Sequence, residues 1–153
     1  MRIDFELNGR AAAWEIGPGE TLLAALRRHE ITSVKYGCDT ASCSACTVLL
    51  DGKPVPSCAV PAGRVAGHAV LTVEGVPEEA RRLGEAMAAE GADQCGYCAP
   101  GLVMSVVAMR EELTATELSD DAAINAYLAG NLCRCTGYVG QARAIRKYLE
   151  ENS

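Results

Sequence analysis

Eight cysteines constrain this chain more than any other feature, and they fall into two groups of four. The first group is Cys38, Cys43, Cys46 and Cys58, with gaps of four, two and eleven residues. The second is Cys95, Cys98, Cys133 and Cys135, with gaps of two, thirty-four and one. No cysteine is left over. Met1 to Leu7 alternates polar and apolar residues and has no apolar stretch of the kind a secretory signal needs. The expectation is therefore a cytoplasmic location, where cysteines in such numbers are metal ligands or catalytic groups rather than disulfides. Nowhere does an apolar run approach the roughly 18 residues of a membrane span. The net charge of −6 argues against nucleic acid, whose binding surfaces are basic.

Around the cysteines the chain changes character once. Residues 2–8 read as a strand by their period-two pattern, Asn8-Gly9 as a hairpin turn, and Ala11 to Ile16 as the returning strand. Gly17-Pro18-Gly19 ends it, and residues 20–28 form a short helix with Leu22, Leu23 and Leu26 on one face. After the cysteine loop, Thr47 to Leu50 is a buried strand, Asp51-Gly52 a second hairpin turn, and Val55 to Val60 a returning strand that carries Cys58. A last strand spans Ala69 to Val73. Beyond Gly75-Val76-Pro77 only helices are expected: about 78–90, from Pro100 through Met109, from a Ser119 cap through Leu128, and about 140–150. The fold class is α+β, with one domain over residues 1–75 and a helical one over 76–153. No low-complexity segment or sequence repeat occurs.

The gaps in Cys38-x4-Cys43-x2-Cys46, followed by a distant fourth cysteine, are the plant-type ferredoxin spacing for a [2Fe–2S] cluster. Each iron takes a tetrahedral set of sulfurs, and small residues between the ligands let backbone N–H groups turn toward the sulfides. Ala41, Ser42, Ser44 and Ala45 are small enough. A structural zinc site favours two close cysteine pairs, which this group lacks. A Rieske centre needs histidine ligands, and His29 and His68 are the only histidines, neither beside a cysteine. In the second group Cys95-x2-Cys98 precedes a helix start and Cys133-x1-Cys135 follows a helix stop at Gly130. Helix N-termini nearby favour anionic thiolates. By spacing alone, both zinc and iron–sulfur remain open for this group.

The residues flanking the cysteines carry a resemblance. Gln94-Cys95-Gly96-Tyr97-Cys98-Ala99-Pro100-Gly101 and Gly130-Asn131-Leu132-Cys133-Arg134-Cys135-Thr136-Gly137-Tyr138 resemble the two motifs of the iron–sulfur subunit of the molybdenum hydroxylases. This is the xanthine dehydrogenase, aldehyde oxidoreductase and carbon monoxide dehydrogenase family. Gly37 to Thr40, Cys46 to Gly52, Ser57-Cys58 and Thr72 to Gly75 are similar to the same family's N-terminal domain. The resemblance covers nearly the whole chain.

It implies a β-grasp plant-type ferredoxin domain followed by a four-helix [2Fe–2S]-binding domain. Cys38, Cys43, Cys46 and Cys58 would hold the distal cluster, and Cys95, Cys98, Cys133 and Cys135 the proximal one. Gln94 and Cys135 would lie against a molybdopterin cofactor held by a large partner subunit. The implied activity is that of an oxidoreductase's electron-transfer subunit, with no substrate chemistry on this chain. Electrons pass between the molybdopterin site and an FAD subunit or other acceptor. A hetero-oligomer follows, of which a dimer of heterotrimers is one form. Tyr97, Ala99, Leu132 and Tyr138 would be part of the partner surface, with a place in the helical core as the alternative for Tyr138. Two rivals are a free-standing two-cluster ferredoxin and a zinc-stabilised interaction module. The chain departs from the family at Ala41 and Ser44, where glycine is usual. Both resist the positive φ that glycine permits, and the Ser44 hydroxyl is expected to point toward the distal cluster.

Overall fold

The computed structural model describes residues 1–151. Its N-terminal half is a five-stranded mixed sheet with a helix across one face. The strands are β1 (Arg2–Leu7), β2 (Arg10–Glu15), β3 (Thr47–Leu50), β4 (Lys53–Pro56) and β5 (Ala69–Leu71), in the order β2-β1-β5-β3-β4. Only β1 and β5 run parallel; the other pairs are antiparallel. This is the β-grasp arrangement. Period-two alternation turns Ile3 and Phe5 of β1, Trp14 of β2 and Val48 of β3 inward. Helix α1 (Leu22–Arg28) covers them with Leu22, Leu23, Ala25 and Leu26. Its start is fixed by Thr21, whose side chain accepts the Ala24 N–H.

Two strands are shorter than their sequence pattern suggests. The strand expected over Val55 to Val60 ends at Pro56, and Cys58 sits on a 3-10 turn, Ser57–Ala59. Pro54 and Pro56 have no N–H to extend a ladder. The buried Ser57 instead donates its hydroxyl to the Cys46 carbonyl at 2.7 Å, which draws Cys58 back to Cys46. Likewise β5 ends at Leu71. Asn8 accepts the Thr72 N–H at 2.8 Å and donates to the Thr72 hydroxyl at 3.0 Å, and the chain turns at Val73–Gly75.

The helical half contains α2 (Pro77–Ala89), α3 (Ala99–Glu112), α4 (Ala115–Leu118), α5 (Asp121–Tyr127) and α6 (Val139–Glu151). The four expected helices are present. The single turn α4 is an addition, made by a capping box between Thr114 and Glu117, and it moves the next cap from Ser119 to Asp120. Helices α2 and α6 pack through one apolar face each, Leu83, Ala86 and Met87 against Ala144, Ile145, Tyr148 and Leu149. Helix α3 is apolar nearly all round and buried nearly all round, as such a helix must be. One side meets α2 and α6, while Met104 and Ala108 pack on Leu49, on the sheet face opposite α1. The two halves thus share α3 as a common wall. Among the described residues no helix is long and apolar enough to cross a membrane.

Candidate metal centres

The first cysteine loop lies between α1 and β3, and the second group lies at the starts of α3 and α6. In both groups the sulfurs come in twos. Cys38 interacts with Cys43, and Cys46 with Cys58. Cys98 interacts with Cys133, and the Cys95 and Cys135 sulfurs are 3.5 Å apart. Among the described residues, no three His, Cys, Asp or Glu side chains converge on one ion's position. A binuclear cluster needs two thiolates at each of two irons, and pairs of this kind suit it. A single tetrahedral ion needs all four at once.

The backbone is arranged to receive anionic sulfur. The Cys43 thiol and the N–H groups of Thr40, Cys43 and Ser42 bring Cys38 down to about 6. Burial opposes ionisation of Cys133, yet the Thr136 hydroxyl and the N–H groups of Cys135 and Thr136 outweigh it and hold that thiol at about 7. Burial pushes Cys58 and Cys98 up to about 11, with Cys46 and Cys133 adding to it. Each group therefore offers one thiolate near neutral pH on which metal capture can begin. Thiolate-only donors with N–H groups aimed at them fit [2Fe–2S] clusters on both sites.

The first loop keeps the backbone that glycine would give it. Ala41 has φ +55° and Ser44 φ +57°, so both side chains are held in the left-handed region. The Ser44 hydroxyl lies near Gly130, 3.4 Å from where a Cβ on that residue would stand. A left-handed alanine costs about 1–2 kcal/mol, and glycine gives back about 0.4–1 kcal/mol through the unfolded chain. Ala41→Gly is therefore expected to stabilise the chain by about 0.5–1 kcal/mol. Thermal denaturation checks this, and an unchanged or lower midpoint would contradict it.

The two cysteine groups touch through their own backbones. The Leu132 N–H, next to Cys133, donates to the carbonyl of Cys43 at 3.1 Å. The Tyr97 hydroxyl, from between Cys95 and Cys98, donates to the Tyr36 carbonyl at 2.6 Å. Gly101 of α3 lies so close that a Cβ there would be 2.1 Å from the Ser44 carbonyl oxygen.

Gln94 and Cys135 are also brought together, both exposed: the Gln94 Nε2 donates to the Cys135 carbonyl at 3.4 Å. Around them Tyr97, Leu132 and Tyr138 are each a little under half exposed, and Val139 is 65% exposed. Tyr138 is thus at the surface rather than in the core. Its φ of +71° is strained for a bulky residue, and its hydroxyl accepts the Cys133 N–H at 3.0 Å. Sequence reasoning missed Gln141, which is 5% exposed and donates from Nε2 to the Cys98 sulfur at 3.8 Å. The signal was available, since residue 141 continues the inward stripe of Ala144, Ile145 and Tyr148.

Comparison with known proteins agrees with this geometry. Residues 5–72 match the family described as a 2Fe–2S iron–sulfur cluster binding domain, and residues 72–146 match the [2Fe–2S] binding domain family. The small FeS subunit of nicotinate dehydrogenase from Eubacterium barkeri is 38% identical, over 98% of this chain and 96% of that one. The iron–sulfur-binding subunit of xanthine dehydrogenase from Escherichia coli O157:H7 is 42% identical, over 90% and 87%. Quinoline 2-oxidoreductase from Pseudomonas putida 86 superposes with a TM-score of 0.87 at 32% identity, covering 99% of this chain and 94% of the matched one. Aldehyde oxidoreductase from Desulfovibrio desulfuricans gives the same TM-score at 33% identity, and there the match is 17% of a longer chain.

Proposed function

The chain belongs to the iron–sulfur subunits of the molybdenum hydroxylases, and from that premise we propose that its cysteines form two cluster sites in series. It is the electron-transfer subunit of an oxidoreductase. Cys38, Cys43, Cys46 and Cys58 are the ligands of the distal [2Fe–2S] cluster, and Cys95, Cys98, Cys133 and Cys135 those of the proximal one. When bound, these clusters supply one-electron transfer between a molybdopterin site on a large subunit and an FAD subunit or other acceptor. The domain boundary falls at residues 75/76, in keeping with a separate apolar core on each side. The setting proposed is cytoplasmic.

The observation that carries this function is the Leu132-to-Cys43 hydrogen bond. It joins a residue adjacent to one ligand directly to another ligand's carbonyl, so the two sites are held at a fixed separation by ligand-loop backbone. The residues on this chain bind, shield and space the groups. Gln94 and Cys135 are the pterin-facing pair in this account. Their shared exposure, beside Tyr97, Leu132 and Tyr138, supports a partner surface with an apolar centre and a polar contact.

Purification of the tagged full chain from its native host tests the partnership. The expected result is comigration with a large molybdenum-containing subunit and a flavin-containing one, as a hetero-oligomer. A lone monomer carrying both clusters would favour a free-standing two-cluster ferredoxin instead.

A further inference from the structure

Among the described residues, Gln141 is the only amide or charged side chain buried below a tenth of its surface. Its neighbours on α6 that face inward are Ala144, Ile145 and Tyr148. Gln141 also lines an open, mostly apolar pocket of about 430 Å³, with Leu102, Ile124, Leu128 and Ile145 and the amides of Asn125 and Asn131. A leucine or isoleucine at this position would suit both surroundings. An amide is costly there unless its polar atoms are used. Its Nε2 is used, and the partner is the Cys98 sulfur at 3.8 Å.

That sulfur differs from its pair mate. Cys133 Sγ lies 3.4 Å from the Thr136 hydroxyl and accepts the Cys135 N–H at 3.5 Å, both supplied by its own loop. Cys98 is also approached by its own backbone N–H, but its side-chain donor comes from a separate helix, forty-three residues away in sequence. One-electron reduction of a [2Fe–2S] core adds negative charge to its sulfurs, and an N–H donor is then worth more than it was before reduction. Hydrogen bonds to the sulfurs are among the factors that set a cluster's potential.

We propose that Gln141 is a positioning residue that tunes this site: its amide N–H, donated to Cys98, holds the proximal cluster at a higher potential than the same four thiolates would give alone. This rests on the assignment of Cys95, Cys98, Cys133 and Cys135 as ligands of one [2Fe–2S] cluster. The acceptance of an electron from the partner's site is thereby favoured at the group nearest that partner.

The test is a redox titration of the full chain carrying both clusters, followed by EPR. Gln141→Leu keeps the volume and removes the donor. It is expected to lower the midpoint potential of one signal, leave the other unmoved, and remove one exchangeable-proton coupling from the shifted signal. Gln141→Glu, an acceptor where the donor stood, is expected to lower it further. If Gln141→Leu loses a cluster outright, Gln141→Asn carries the test, since it stays polar while withdrawing the donor; it too should lower one potential. Two intact signals with unchanged potentials in the variant that retains both clusters would overturn the proposal. Wild-type protein with fewer than two [2Fe–2S] signals would overturn the cluster assignment beneath it, which is a separate result.

Discussion

Replacing Cys98 with alanine is expected to remove one of two clusters and leave the other in place. Iron and acid-labile sulfide should fall to about half, because each cluster holds half of the total. Cys98 is a clean choice for this experiment. It occupies the N-cap position of α3 but makes no capping hydrogen bond with its side chain, so its loss should not unravel the helix. What the substitution does remove is the partner of Cys133 and the acceptor of Gln141. The retained signal should keep its wild-type potential, since Cys38, Cys43, Cys46 and Cys58 are untouched. Loss of both clusters, or of neither, would show that the eight cysteines do not divide as proposed.

Of the glycine-to-alanine changes in this chain, Gly101→Ala makes the closest clash, and it should produce a clear loss of stability. The new Cβ would stand 2.1 Å from the Ser44 carbonyl oxygen and 3.1 Å from the Ala45 Cα. Those are backbone atoms in the first cysteine loop, which cannot rotate away as a side chain could. Either α3 or the loop must move. Overpacking of a buried contact costs about 1–3 kcal/mol, which for a chain of this size lowers the melting point by roughly 2–12 °C. The same movement should loosen the bond from Leu132 to Cys43, read as faster hydrogen exchange at the Leu132 amide. Gly84→Ala is the control. No atom lies within 4 Å of its would-be Cβ, and alanine in the interior of α2 should stabilise by about 0.5–1 kcal/mol. Equal melting points for the two variants would mean that α3 and the cysteine loop are not in contact.

Much of this architecture is legible in the sequence, because local rules and global packing agree. The Asn8-Gly9 and Asp51-Gly52 turns, the alternation in β1 and the Pro100 start of α3 are each set by a few adjacent residues. The cysteine gaps likewise separate a distant-fourth-ligand site from two close pairs. Where the reading fell short, long-range contacts decided the outcome. Nothing local to Val55 to Val60 says that Ser57 will bond to the Cys46 carbonyl and turn Cys58 out of a strand. Ala41 and Ser44 adopt the left-handed backbone despite their side chains, since the surrounding loop over-determines them. The capping box at Thr114 and the inward spacing of Gln141 are different: both are written in the sequence.

The central claim is that the chain holds two [2Fe–2S] clusters on two separate sets of four cysteines. EPR of the reduced full chain, with metal analysis of the same sample, tests it most directly. The account predicts a coloured protein with two distinct [2Fe–2S] signals. A colourless protein containing zinc, or a reduced protein with a single signal, would contradict it.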